Sequence, residues 1–222
     1  MRPSHLAAAT AVLVTLGGAS AASAQVLGLP VYNSGVPTGL AVYGDVAFPN
    51  SAAGDGHTFA VTGRLGISRI GVTATLGSFN PSGPNNTITT VGATGNYKLL
   101  GGPLIPFSAT LQGGIGYGKE GSGIGSVKLW RFPIGLGIGI TIPNPALAIK
   151  PWIAPRIDLT RRSVEGVSSG DTDSNFGISA GVELNFLTGF GVHAAYDRVF
   201  ATGDDPGIFA IGAHYGFRIP GL

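Results

Sequence analysis

The sequence predicts an all-β fold, a transmembrane antiparallel up-and-down barrel. Three observations support this prediction. Apolar residues alternate with small or polar ones through most of the chain, and successive side chains of a strand point to opposite faces. After the first 25 residues, no stretch is apolar for the roughly 18 residues that a membrane helix needs, although the mean hydropathy is +0.33. The connections between the predicted strands alternate between long and short.

Composition excludes several classes of protein. The 222 residues include 38 Gly, no Cys and only 11% charged residues. The lack of Cys excludes a disulfide framework and thiolate metal sites. The 13 Lys and Arg residues nearly balance the 11 Asp and Glu residues, so the pI near 9.0 does not indicate a nucleic-acid partner.

The first 24 residues have the pattern of a secretory signal peptide. Arg2 provides a positive start, residues 6–16 are apolar, and small residues, Ala22-Ser23-Ala24, precede Gln25. We therefore exclude 1–24 from the fold. Residues 25–37 contain Pro and Gly, and their apolar and polar residues do not alternate regularly. This indicates a short lead-in to the barrel.

The alternation of apolar with small or polar residues begins near residue 38 and predicts ten strands. They lie at about 38–48, 57–67, 70–76, 88–100, 107–117, 130–140, 149–159, 175–186, 190–196 and 209–219. In the eighth strand, Phe176 and Ile178 alternate with Gly177 and Ser179. Most of the predicted strands match the roughly 9–11 residues that cross a tilted bilayer. Eight strands remain the alternative if the first or the sixth is misread.

The connections differ in length according to their order along the chain. The longer, polar connections lie at about 49–56, 80–87, 118–126, 164–174 and 201–206, whereas those near 68, at 101–103, at 143–146 and at 187–189 are mostly tight. Membrane barrels have short turns at one end and longer loops at the other. A soluble meander has no reason to alternate its loop lengths in this way.

The apolar face of the strands is predicted to meet lipid. In water it would expose several thousand Å² of apolar surface, far above the few hundred typical of soluble monomers. The other face is mostly Gly, Ala, Ser and Thr, which suits a narrow lumen. Aromatic residues near the strand ends would then form two interfacial girdles. They are Tyr97, Phe107, Tyr117, Trp130, Phe176, Phe186, Phe190, Tyr196, Tyr215 and Phe217.

With these features the chain resembles bacterial outer-membrane β-barrel proteins, the small OmpA-like and porin-like barrels. The resemblance covers about 38–219 and includes the near-terminal aromatic run Tyr215-Gly216-Phe217. It implies that 38–219 is an outer-membrane barrel and that 25–37 is a periplasmic lead-in. The implied partners are outer-membrane lipids, lipopolysaccharide and the barrel-insertion machinery, with small solutes if the lumen is open.

Polar residues on the inward face form a candidate lumen network. Its predicted members are Asp45, Arg64, Lys98, Arg156, Asp158, Glu183, His193, Asp197, His214 and Arg218. Strand register that keeps the apolar residues on one side places Glu183 opposite His193, and His193 opposite His214. Such a row could serve as a general base or bind Zn²⁺. We interpret it instead as a hydrogen-bonded lumen network, with no catalytic residue, metal or cofactor.

The function expected from the sequence is that of a non-enzymatic outer-membrane barrel with a structural or narrow passive-channel role. Two alternatives belong to other classes of protein. One is an outer-membrane enzyme with a site in the lumen or at the rim. The other is a secreted soluble β-barrel that binds an apolar ligand inside, with its faces reversed.

Overall fold

The computed structural model describes residues 26–82, 87–102, 105–121, 125–167 and 170–217. Within these ranges, ten long antiparallel strands close into a barrel, as the sequence predicts. They are β1 (Gly39–Pro49), β2 (His57–Ile67), β3 (Ile70–Asn80), β4 (Ile88–Gly102), β5 (Ile105–Glu120), β6 (Val127–Ile140), β8 (Leu147–Val164), β9 (Gly170–Phe186), β10 (Phe190–Phe200) and β11 (Gly207–Phe217). A two-residue strand, β7 (Ile142–Pro143), pairs with β8.

Each long strand pairs with the preceding and the following one, and β1 closes the barrel by pairing with β11. A short 3-10 helix, Ser51–Ala53, lies between β1 and β2. Among the described residues, no helix is long and apolar enough to cross a membrane. The proposed signal peptide at 1–24 and the end of the predicted barrel, beyond residue 217, lie outside the described residues.

The two ends of the barrel differ in their connections. The longer connections follow β1, β3, β5, β8 and β10 and define the long-loop end. The connections that follow β2, β4, β6 and β9 define the short-turn end. In outer-membrane barrels the short turns lie on the periplasmic side, so the resemblance stated above predicts that the long-loop end faces the cell exterior.

The outer face of the barrel is apolar. Val61, Leu76 and Ile134 are each more than half exposed, and Phe107 and Ile211 also point outward. The inner face carries mostly small and polar residues instead, such as Thr58, Thr90 and Asp158, each 0% exposed. This arrangement does not fit a soluble barrel with an apolar interior. The outer surface suits lipid, in which apolar side chains have no hydration cost.

Several strands run beyond the predicted boundaries at the long-loop end. The sequence predicts a loop over 164–174, whereas β9 begins at Gly170 and pairs with β8 through Asp171–Arg162 and Asp173–Thr160. Likewise, β5 continues to Glu120. Beyond the lipid the strands stay paired through their backbones, but their outward side chains no longer need to be apolar. These extensions therefore lack the apolar–polar alternation from which strands are predicted.

One predicted register is right and the other differs by two residues. Glu183 lies opposite His193, as predicted. In the next hairpin His193 faces Gly212, and His214 faces Gly191, because β10 and β11 join through the Arg198–Gly207 pair rather than through Phe200. A shift of two residues leaves every side chain on its predicted face.

The lead-in segment lies inside the barrel, which differs from the periplasmic position expected from the sequence. Residues 26–37 run through the lumen antiparallel to β1. Val26 packs near the long-loop end against Ala47 and Ile208. At the other end, Pro37 lies against Gly66, next to the turn between β2 and β3. We call residues 26–37 the lumen segment.

We predict that a charge on the outer face costs more at mid-barrel than near a barrel end. Ile211→Arg, in the middle of β11, should lower the free energy of unfolding in lipid vesicles by about 2–4 kcal/mol, because the cation would enter hydrocarbon. The control, Ile70→Arg at the short-turn end, should cost about 0–1 kcal/mol. Urea titration in vesicles measures both changes, and equal small costs would contradict a lipid-facing belt.

Candidate functional site

The lumen segment is anchored to the barrel wall at the long-loop end by apolar contacts. Val26 and Leu29 are 1% and 2% exposed. They form a cluster with inward-facing small residues of the wall, including Ala47, Ala60 and Ala210. Small wall residues leave room for a chain inside a ten-stranded barrel. Burial of these side chains favours a fixed segment over a mobile one.

In the middle of the lumen, the segment binds the wall through polar contacts. The Tyr32 hydroxyl donates to Asp45 at 3.0 Å, and its ring lies edge-on to Trp152. The Val31 amide donates to Asp197 at 3.4 Å, and Gln112 donates to the Tyr32 carbonyl at 3.3 Å. These partners lie on β1, β5, β8 and β10. The segment is therefore held from several sides of the barrel.

Glycines in the wall make space for the lumen segment. A Cβ on Gly137 of β6 would clash with the Asn33 side chain, and one on Gly66 of β2 would clash with the Pro37 carbonyl. The sequence explains the many inward glycines as residues suited to a narrow lumen. In the structure, these two face a chain inside that lumen.

One part of the wall is a buried ion-pair ladder that spans β6, β8, β9 and β10. Arg156 Nε donates to Asp158 Oδ2 at 2.8 Å, and its Nη2 donates to Asp197 Oδ2 at 2.8 Å. Arg131 Nη2 lies 2.6 Å from Asp158 as an ion pair rather than an aligned hydrogen bond. Ser179 donates to Asp197 and accepts from Arg156. The ladder connects four strands through direct side-chain contacts.

A second group lies closer to the short-turn end. The Tyr43 hydroxyl donates to Glu183 Oε1 at 3.0 Å, and the Arg64 guanidinium lies 5.0 Å from the Tyr43 ring centroid. Arg64 also donates to the Ser34 hydroxyl at 3.1 Å and to the Gly35 carbonyl at 2.8 Å. This group therefore connects wall residues to the lumen segment.

The two histidines connect Asp45 with Glu183 of this second group in one chain of contacts. His193 Nε2 lies 2.6 Å from Asp45 Oδ1, and the Nδ1 atoms of His193 and His214 are 3.3 Å apart. Such a pair forms a hydrogen bond only when one Nδ1 donates and the other accepts. His214 Nε2 lies 2.8 Å from Asn185 Oδ1 and 3.7 Å from Glu183 Oε1. Each ring nitrogen thus faces a specific partner.

The cavities beside these groups are small. The cavity lined by Tyr32, Tyr43 and Trp152 has a volume of about 20 Å³, room for roughly one water molecule. A second cavity of about 250 Å³ lies at the short-turn mouth. It is lined by Ser34, Arg64, Lys150, Glu183, Asn185 and His214, among others. The polar groups therefore meet one another and the lumen segment instead of a wide channel.

Eight of the ten predicted network residues are buried in the lumen wall. They are Asp45, Arg64, Arg156, Asp158, Glu183, His193, Asp197 and His214. Lys98 lies apart from them, half-buried at the short-turn end, where its ammonium group donates to the Ser68 carbonyl at 3.4 Å. Arg218 lies outside the described residues.

Sequence reasoning missed the contribution of the lumen segment. Tyr32, Asn33 and Ser34 come from a stretch without period, so no pattern predicts which side chain faces the wall. Arg131 was not missed in the same way: the alternation places it on the inward face with the other wall charges, although it is not among the ten predicted network members. Among the described residues, no group of three or more His, Asp or Glu residues is placed to hold a metal ion.

We predict that the ladder depends on Arg156. Arg156→Met would leave Asp158 and Asp197 buried with fewer partners, so the free energy of unfolding should fall by about 3–5 kcal/mol. The matched control is Arg198→Met, which breaks an exposed ion pair with Asp205 and should cost about 0–1 kcal/mol. Guanidinium unfolding in detergent micelles measures both, and similar costs would contradict the ladder's role.

We also predict that Gly212 is needed for the Asp45–His193 contact. A Cβ there would clash with Asp45 Oδ1 and lie 2.6 Å from His193 Nε2. Gly212→Ala should therefore lower the free energy of unfolding by about 1–3 kcal/mol through overpacking. Gly44→Ala, on the outer face of β1 with no atom within 4 Å, is the control and should be nearly neutral. Identical unfolding curves for the two variants would argue against a tight contact.

Comparison with known proteins identifies relatives in fold only. No protein-family model matches the chain, and no curated protein matches it. Among solved structures, the β domain of the Bordetella autotransporter BrkA matches with a TM-score of 0.50 and 13% identity, over 80% of this chain and 98% of that domain.

Two further similar structures come from other bacteria. The translocator domain of the autotransporter NalP from Neisseria meningitidis has 14% identity over 82% of this chain and 90% of that one, with a TM-score of 0.46. The N-terminal β-barrel domain of Pseudomonas aeruginosa OprF has 10% identity over 80% and 96%, with a TM-score of 0.37. The fold is that of bacterial outer-membrane β-barrels, as the sequence predicts, and the apolar outer belt fits the outer membrane.

Proposed function

We propose that this protein is a structural, non-enzymatic outer-membrane barrel whose lumen is closed by its own N-terminal segment. The observation that carries the proposal is the path of residues 26–37, which contact the inner wall from the long-loop end to the short-turn end. The cavity beside the segment at mid-lumen holds roughly one water molecule. A solute would have to displace the segment to pass.

The polar residues support a structural role over a catalytic one. Glu183 accepts from Tyr43, and His193 bonds to Asp45, so both act as partners within the wall. Ser179, a hydroxyl that could serve as a nucleophile, donates to Asp197 and accepts from Arg156. A catalytic group needs access to a substrate, whereas these three side chains are buried. Glu183 borders the cavity at the short-turn mouth, but its Oε1 is occupied by the Tyr43 hydroxyl.

A gated narrow channel is the second candidate function. The wall behind the lumen segment carries Thr62, Thr75 and Gln112 besides the charged residues. An apolar wall would collapse or exclude water after the segment left, but this polar wall would remain hydrated. Displacement of residues 26–37 would therefore open a narrow aqueous path.

We predict that removal of the lumen segment opens the barrel to ions. The full-length protein should give no single-channel steps in planar bilayers, whereas deletion of residues 26–37 should give steady conductance. A milder variant, Tyr32→Ala with Asn33→Gly, keeps the chain length and should give intermittent openings because it loses the mid-lumen anchor. Heat-modifiable gel mobility verifies that each variant is folded.

A crosslinked variant provides the control. The chain has no Cys, so Asn33→Cys combined with Gly137→Cys would form a single bridge between the lumen segment and β6. Oxidised, this variant should stay closed under every voltage tested. The closed-lumen proposal would be contradicted if the crosslinked or wild-type protein conducted as much as the deletion variant. It would also be contradicted if the deletion variant folded but gave no conductance.

A further inference from the structure

Three basic side chains lie together on the outer face near the long-loop end. Lys119 of β5 pairs with Lys128 of β6, and Trp130 of β6 pairs with Arg161 of β8. On β6, Lys128 and Trp130 alternate with buried Leu129, so they point away from the lumen. We call Lys119, Lys128 and Arg161 the basic rim cluster.

An aromatic pair fixes the height of the basic rim cluster relative to the membrane. The Tyr117 and Trp130 rings lie 4.6 Å apart on the outer face. Arg161 stands beside Trp130, and the two lysines lie one outward-facing position closer to the loops. Exposed apolar residues such as Ile115 and Leu159 begin on the other side of the aromatic pair. Because Trp and Tyr mark the membrane interface, the cluster sits at headgroup level.

One carboxylate beside the basic rim cluster neutralises only part of its positive charge. Glu165 Oε2 lies 3.0 Å from Lys119 Nζ and 3.5 Å from Lys128 Nζ. The Ser126 hydroxyl and Lys119 lower the pKa of Glu165 from 4.5 to about 2, so this carboxylate is ionised at neutral pH. Three cations and one carboxylate leave a net charge of two. Within the described ranges, Arg161 has no ion-pair partner.

The remaining charges near this rim lie on other faces or in other ion pairs. Glu120 follows Lys119 along β5 and pairs with inward-facing Val127, so it lies on the opposite face of the strand. Arg161 pairs with Thr172 of β9, so Asp171 and Asp173 alternate onto the opposite face of that strand. On another sector of the rim, Arg198 is paired with Asp205 at 2.7 Å. The excess positive charge is thus confined to the outer faces of β5, β6 and β8.

We propose that the basic rim cluster binds the phosphate of a lipid headgroup in the outer leaflet of the membrane. A guanidinium and two ammonium groups match the oxygens of a phosphate, and Arg can bind it in a bidentate manner. The cations point over the apolar belt, where acyl chains of the same lipid would lie. This position favours a phosphorylated lipid, such as lipopolysaccharide, over free phosphate.

Intrinsic fluorescence offers a direct test because the chain has two Trp residues, and Trp130 lies in the proposed site while Trp152 is buried in the lumen. The full-length protein, folded in neutral micelles, is titrated with bisphosphorylated lipid A, with dephosphorylated lipid A and with inorganic phosphate. Saturable binding is expected with the first ligand only.

Three variants distinguish specific binding from general charge effects. Arg161→Gln should weaken binding of bisphosphorylated lipid A about fivefold, because about 1 kcal/mol is lost per cation near a membrane surface. Glu165→Gln, which retains a side chain able to accept from Ser126, should tighten it by a similar factor. Arg198→Gln should leave the affinity unchanged.

The opposite signs make the test independent of folding, since a misfolded variant does not gain affinity. Equal binding of dephosphorylated lipid A would overturn the proposal, and so would inorganic phosphate binding with the same affinity. Unchanged affinity in both Arg161→Gln and Glu165→Gln would do the same. The result does not depend on whether the lumen conducts.

Discussion

Closure of the sheet is the constraint on which the rest of this structure depends. In hydrocarbon no water is available to the backbone, so every strand must pair on both sides. Pairing of β1 with β11 meets this demand and leaves no free edge. The same closure forces the apolar residues outward and collects the polar residues inside a narrow space. Much of the wall's chemistry follows from crowding charges where solvent is scarce.

Most of the buried charges of the wall bind either one another or polar groups of the lumen segment. Arg156 lies between Asp158 and Asp197, and Arg64 binds the carbonyl of Gly35. A buried charge without a partner is costly, so ion pairs of this kind hold neighbouring strands in one arrangement. The lumen segment shares in the network, since Tyr32 donates to Asp45, which also contacts His193. The contacts that hold the lumen segment in place are therefore also contacts that stabilise the wall.

The long-loop end has a different character from the interior. There β5, β6, β8 and β9 run past the apolar belt and carry charged residues on an accessible surface. Glu165 joins the β5–β6 and β8–β9 hairpins through Lys119 and Ser126. Interior charges are nearly balanced, whereas the basic rim cluster retains two positive charges. Contact with the surroundings is thus expected at this rim rather than in the lumen.

The sequence by itself determined the strands and the direction of each side chain, because alternation with period two encodes both. The register between Glu183 and His193 follows in addition from the tight turn at 187–189. The sequence could not place His214 opposite Gly191, since a shift of two residues preserves the same alternation. Nor could the sequence place Tyr32 beside Asp45, because apolar and polar residues do not alternate regularly in the lumen segment. The position of the segment also depends on wall glycines from distant strands. Only the closed tertiary structure brings these surfaces around the segment.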